Sequence, residues 1–96
     1  MPVSEHLIRR KGGWLSTTVG DDMVMMSTDT GNYVTVSRVG ARIWELIAKP
    51  QSMDALCTRL EREFEVAPEA CRADVGRFLD EMTAQGAIEI EESPAP

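Results

Sequence analysis

Apolar and polar positions change period along this chain, and the changes mark its elements. Tyr33-Val34-Thr35-Val36 is β-branched or aromatic throughout and suits a pleated surface. Ser37 follows with a side-chain oxygen able to cap a helix. After it, Val39, Ile43, Leu46 and Ile47 recur at helical spacing. Gly31–Ile47 is therefore expected to open as a strand and close as a helix, from about Arg38 to Ala48. Pro50 stops that helix, because its ring disfavours helical geometry in the residue before it.

Upstream, Trp14–Val19 alternates in the manner of a strand, and Gly20-Asp21-Asp22 reads as a turn. Met23–Ser27 is a second strand. Asp29-Thr30-Gly31-Asn32 should turn it back against Tyr33–Ser37 as an antiparallel hairpin. Val34 and Val36 share one face, expected to look toward the helices. Leu7–Ile8 is a short apolar pair before Arg9, Arg10 and Lys11, and Gly12–Gly13 interrupts whatever precedes it.

Downstream, Ser52 is a cap candidate and Asp54 sits where the helix dipole favours negative charge. Met53, Leu56, Cys57, Leu60 and Phe64 form the apolar stripe of a second helix. A third starts at Pro68 and runs to about Gln85, with Gly86 as a left-handed stop. Its stripe is Cys71, Val75, Phe78, Leu79 and Met82. Ala87–Glu91 alternates apolar and acidic, as a short terminal strand would. The fold class expected is α+β and winged-helix-like, an N-terminal three-stranded antiparallel sheet packed on three helices.

Ninety-six residues make one domain. The formal charge of −6 and pI near 4.7 speak against a phosphate-binding surface. The third helix sets Glu69, Asp74, Asp80 and Glu81 against Arg72 and Arg77, a balance of 2 − 4 = −2. That is the wrong sign for a DNA major groove. No apolar run reaches the ~20 residues of a membrane span, and the start is not a secretory signal. Two Cys without a signal read as reduced cytoplasmic thiols, buried and inert on their helix stripes. His6 stands alone, so neither a metal site nor a general base is expected, and no cofactor is implied. Trp44 is expected in the core.

The Tyr33–Ser37 strand has two readings, a structural scaffold or a sheet edge with a free hydrogen-bonding side for a peptide. A proline at Val36 separates them. It is expected to abolish peptide binding, since it removes a donor and bends the edge; if the strand's donors face inward instead, folding rather than binding fails.

Gly31–Ile47 with its Gly40-Ala41 helix start, Ser52–Phe64, and Ala73-Asp74-Val75 before Phe78-Leu79 and Gly86 together resemble the PqqD-like family. These are peptide-recognition domains of ribosomally made, post-translationally modified peptide (RiPP) biosynthesis. The resemblance covers residues 14–91, with 1–13 as a partly mobile N-terminal segment and 92–96 as a disordered tail. It departs from the family at Val36-Ser37, where many members carry a Leu-Asn or similar pair.

The resemblance implies a non-catalytic peptide chaperone acting in the cytoplasm. A precursor's leader peptide would add beside the third strand, in a cleft closed by the third helix. The implied peptide-binding residues are Tyr33, Val34, Thr35, Val36 and Ser37 on the edge, and Asp74, Arg77, Phe78 and Glu81 on the helix. The implied partners are the precursor peptide and a modifying enzyme such as a peptidase, cyclase or radical SAM enzyme, in a lasso-peptide or quinone-cofactor type of pathway. The competing expectation is a small winged-helix DNA-binding regulator. An open edge also permits a homodimer.

Overall fold

The computed structural model describes residues 5–93. The expected hairpin forms. β2 (Trp14–Val19), β3 (Asp22–Ser27) and β4 (Tyr33–Val36) make an antiparallel sheet in the order β2-β3-β4. Gly20 (φ 65°) and Gly31 (φ 76°) hold its two turns in the left-handed conformation that glycine adopts without steric cost.

A second sheet was not expected from the sequence. β1 (Glu5–Arg10) lies between the two-residue β5 (Gln51–Ser52) and β6 (Ile88–Ser93). The register sets Ile8 opposite Ile90 and Arg9 opposite Glu89, and Ile8 and Ile88 are both buried. Residues 5–10 of the N-terminal segment are thus the middle strand of a sheet. Of the proposed tail, residues 92 and 93 continue β6, and 94–96 lie outside the described residues, as do 1–4.

The three helices start and stop where their end residues direct. α1 runs Arg38–Leu46, and the Ser37 hydroxyl accepts from the Gly40 amide at 3.3 Å. It ends two residues short of the expected Ala48, with Ile47 as the cap. α2 runs Met53–Phe64, capped by the Ser52 hydroxyl on the Ala55 amide at 3.1 Å. α3 runs Pro68–Gln85 and closes on Gly86 at φ 78°. Arg42 and Arg59 both hydrogen-bond Glu63, tying α1 to α2 and holding the Glu63 carboxyl at about 2.

The core lies between the sheets and the helices. Met23, Met25 and Val36 from the hairpin meet Ile43, Trp44 and Ile47 of α1. Leu56, Cys57 and Leu60 of α2 meet Cys71, Val75, Leu79 and Met82 of α3. Trp44 is buried as expected, with the Arg10 guanidinium 4.6 Å over its ring and bonded to its carbonyl. Each large core side chain contributes about 1.5–3 kcal/mol relative to exposure. Both cysteines are free and buried. Burial, with Cys57 alongside, pushes the Cys71 thiol up to about 11. Little thiolate exists there at neutral pH, and the thiolate is the nucleophile. Native protein at pH 8 is therefore expected to leave Cys71 unmodified by iodoacetamide, while protein in denaturant is alkylated, as mass spectrometry would show.

Candidate peptide-binding edge and groove

β4 is a border of its sheet, and among the described residues no strand pairs with its outer side. Which of its groups face outward follows from the phase of the ladder. The Ser27 amide donates to the Asn32 carbonyl at 2.9 Å, so that pair is hydrogen-bonded. Antiparallel ladders alternate bonded and non-bonded pairs. The bonded pairs then continue as Met25–Val34 and Met23–Val36 in the observed register. The neighbouring hairpin agrees. The Thr28 amide donates to the Gly13 carbonyl at 2.8 Å, which directs Val24 and Met26 toward β2 and leaves Met23 and Met25 for β4.

The N–H and C=O groups of Tyr33 and Thr35 therefore point away from β3. They form a row of two donors and two acceptors open to an incoming chain. The Val36 N–H faces inward to Met23, which corrects the expectation that a proline there removes a donor from the peptide edge: it is folding that fails.

Side chains on β4 alternate the other way. Val36 is buried at 4% exposure and Val34 is half-buried, both toward the helices as expected. Tyr33 and Thr35 are exposed on the far face. They bring backbone to the edge and no side chain to the groove beside it.

That groove begins where β4 ends. It is a 260 Å³ concavity between α1 and α3, lined by Ser37, Val39, Gly40, Ile43, Asp74, Arg77, Phe78 and Glu81. The spacing 74, 77, 78, 81 places these four residues on one flank of α3. All four residues expected on the helix wall are brought together, with Ser37 opposite. Arg77 is hydrogen-bonded to Asp74. Arg72, one turn back, bonds Asp54 on α2 and is not part of the groove.

Three lining residues were not foreseen, namely Val39, Gly40 and Ile43. Gly40 matters most. A Cβ placed there would lie 2.8 Å from Cε1 of Phe78 and 3.3 Å from Cβ of Val36. Its bare backbone lets the Phe78 ring close over α1. A glycine inside a helix costs about 1 kcal/mol against alanine, and that cost was the available signal. Val39 and Asp74 also border a separate, small apolar slot walled by Leu60, Phe64, Val66, Cys71 and Val75.

Larger concavities exist elsewhere. One of 430 Å³ lies along α2 beside Arg59 and Arg62, and another of 470 Å³ lies between Arg10, Arg38 and Arg42 near β2. Neither adjoins the open border of β4. Among the described residues no group of three or more His, Cys, Asp or Glu side chains is placed to hold a metal, and no helix is long and apolar enough to cross a membrane.

Known proteins share this fold. "TbiB1 in Complex with the TbiA(beta) Leader Peptide" superposes with a TM-score of 0.74 at 22% identity, covering 84% of this chain and 94% of that one. "Lasso peptide synthetase B1 complexed with the leader peptide" gives 0.74 at 17% identity, covering 85% and 96%. The fold is common to all three. No curated protein matches this sequence. The family of coenzyme PQQ synthesis protein D (PqqD) matches residues 22–88, from the first residue of β3 to the start of β6. With the β3–β4 hairpin and all three helices inside that span, this chain belongs to the PqqD family.

Proposed function

We propose that this protein binds the leader region of a ribosomally made precursor peptide by strand addition to β4 and presents it to a modifying enzyme or leader peptidase. The observation that carries this reading is the open row of Tyr33 and Thr35 backbone groups running into the groove between α1 and α3. Membership of the PqqD family supports it, as does the shared fold of two proteins whose structures hold leader peptides.

Strand addition gives affinity through main-chain hydrogen bonds, and adjoining pockets select side chains. Four backbone groups at about 0.5–1.5 kcal/mol each contribute roughly 2–6 kcal/mol. Two apolar leader side chains in the groove add about 1.5–3 kcal/mol each. Ordering the leader subtracts about 2–5 kcal/mol. The balance reaches about −8 kcal/mol near the favourable end of these ranges, which is micromolar. Ser37 joins the edge to the groove, with Val34 and Val36 packed behind the edge toward the helices. Asp74, Arg77, Phe78 and Glu81 form its helical wall.

The chain's role is recognition, and the chemistry belongs to the enzyme it serves, in the cytoplasm where the precursor is made. DNA binding finds no support. α3 carries a net −2, and its two arginines are engaged by Asp54 and Asp74.

Fluorescence anisotropy with a labelled leader peptide, taken from a short precursor reading frame sought beside this gene, tests the reading. Saturable binding at micromolar concentration or below is expected, with no shift of a DNA duplex at moderate salt. A leader that does not bind at 100 µM would overturn it.

A further inference from the structure

The face of the hairpin sheet turned away from the helices is apolar where a solvated sheet face is ordinarily polar. The register lays Leu15, Met26 and Tyr33 in one row and Thr17, Val24 and Thr35 in the next, with Val19 opposite Asp22. Leu15 is 58% exposed, Val19 61% and Tyr33 71%, the three most exposed large hydrophobics among the described residues. Leu15, Val24, Met26 and Tyr33 wall a shallow 420 Å³ depression. A contiguous apolar surface of this kind marks an interaction site.

Both ends of the face are acidic. Asp22 lies on it beside Val19, with Asp21 in the adjoining turn, and Asp29 stands in the turn at the other end. A second copy of this chain would bring acid against acid there, on a molecule already at −6. The face instead fits an apolar surface rimmed by lysine and arginine. It is also continuous with the peptide site. A strand added to β4 extends the same sheet, and its alternate side chains emerge beside Tyr33 and Thr35.

We infer that this outer face docks the enzyme that cleaves or modifies the precursor, through an apolar, basic-rimmed surface that touches β2, β3 and the outward side of the bound leader together. The inference rests on the leader-binding reading above. It makes the loaded form the better partner, because the leader completes the surface.

The test uses the full chain, the labelled leader, the whole precursor and the processing enzyme of the same pathway. The variants are the double Leu15→Ser/Val19→Ser and the single Asp22→Lys, all away from β4 and the groove. Leader affinity is expected to stay within twofold of wild type. Processing at limiting concentration is expected to fall tenfold or more for the double variant and severalfold for Asp22→Lys. Raising the variant's concentration should restore the rate. Unchanged processing with intact leader binding would overturn the docking face alone. So would a wild-type dimer in sedimentation that the double variant abolishes, since the face would then be a contact between copies. A wild type that binds no leader would overturn the function on which the inference rests.

Discussion

Thr35→Pro is expected to lower leader affinity at least tenfold while the protein stays folded, and Val36→Pro, one residue along, is expected to prevent folding. The contrast follows from the ladder phase. The Thr35 N–H points to solvent, and proline is tolerated on edge strands at such positions. Its loss removes one of four bonds to the leader, about 0.5–1.5 kcal/mol, and the ring obstructs the incoming chain. A tenfold weakening corresponds to about 1.4 kcal/mol, within what those two effects supply together. The residue before it, Val34, is already extended, as a pre-proline residue prefers.

At Val36 the N–H belongs to the bonded pair with Met23. Proline there orphans an acceptor beside buried Met23, at about 1–3 kcal/mol, and disturbs a side chain packed in the core. Thermal melts followed by circular dichroism, with anisotropy titrations on whatever remains folded, check both. Equal loss of fold in the two variants would contradict the assigned phase.

Gly40→Ala is expected to damage binding more than stability. The new methyl falls 2.8 Å from the Phe78 ring, which must swing away from α1. Such overpacking typically costs about 1–3 kcal/mol. The helix recovers about 0.8–1 kcal/mol from replacing glycine by alanine. The melting temperature should therefore drop by only a few degrees. The groove wall is remodelled, and leader affinity should fall about tenfold. Arg72→Ala on the same helix should leave affinity within twofold, because Arg72 faces Asp54 outside the groove. Titrations of both variants beside Phe78→Ala, which should also weaken binding, locate the site. Equal losses at Arg72 and Phe78 would argue against this groove.

The helices were legible because their signals are local. Ser37 and Ser52 each cap the helix that follows, Pro68 opens α3, and Gly86 closes it, and each acts within one turn of itself. The hairpin was legible for the same reason, through Gly20 and Gly31 at its turns. The second sheet was not. Glu5–Arg10 holds only Leu7 and Ile8 as apolar residues, and its partner β6 lies some 80 residues away in sequence. Ile8 finds its burial against a strand that no local pattern names.

The site divides in the same way. The Asp74, Arg77, Phe78 and Glu81 flank was placed by a family resemblance and shares one face by helical spacing. Gly40 signals in the sequence only that a helix carries a costly residue; the Phe78 ring that requires its bare backbone comes from another helix and has no local signature. The outward direction of Tyr33 and Thr35 depends on which pairs of the ladder are bonded. Turn composition names the hairpin but leaves that phase open, which is why the Val36 N–H was expected on the peptide edge when it faces Met23.

Amide hydrogen exchange by NMR, with and without saturating leader peptide, tests the open border most directly. In the free protein the amides of Tyr33 and Thr35 should exchange rapidly, while that of Val36, bonded to Met23, is protected. Leader binding should slow exchange at Tyr33 and Thr35 by tenfold or more and change Val36 little. Protection of Tyr33 and Thr35 in the free chain, or no change when leader binds, would contradict strand addition at β4.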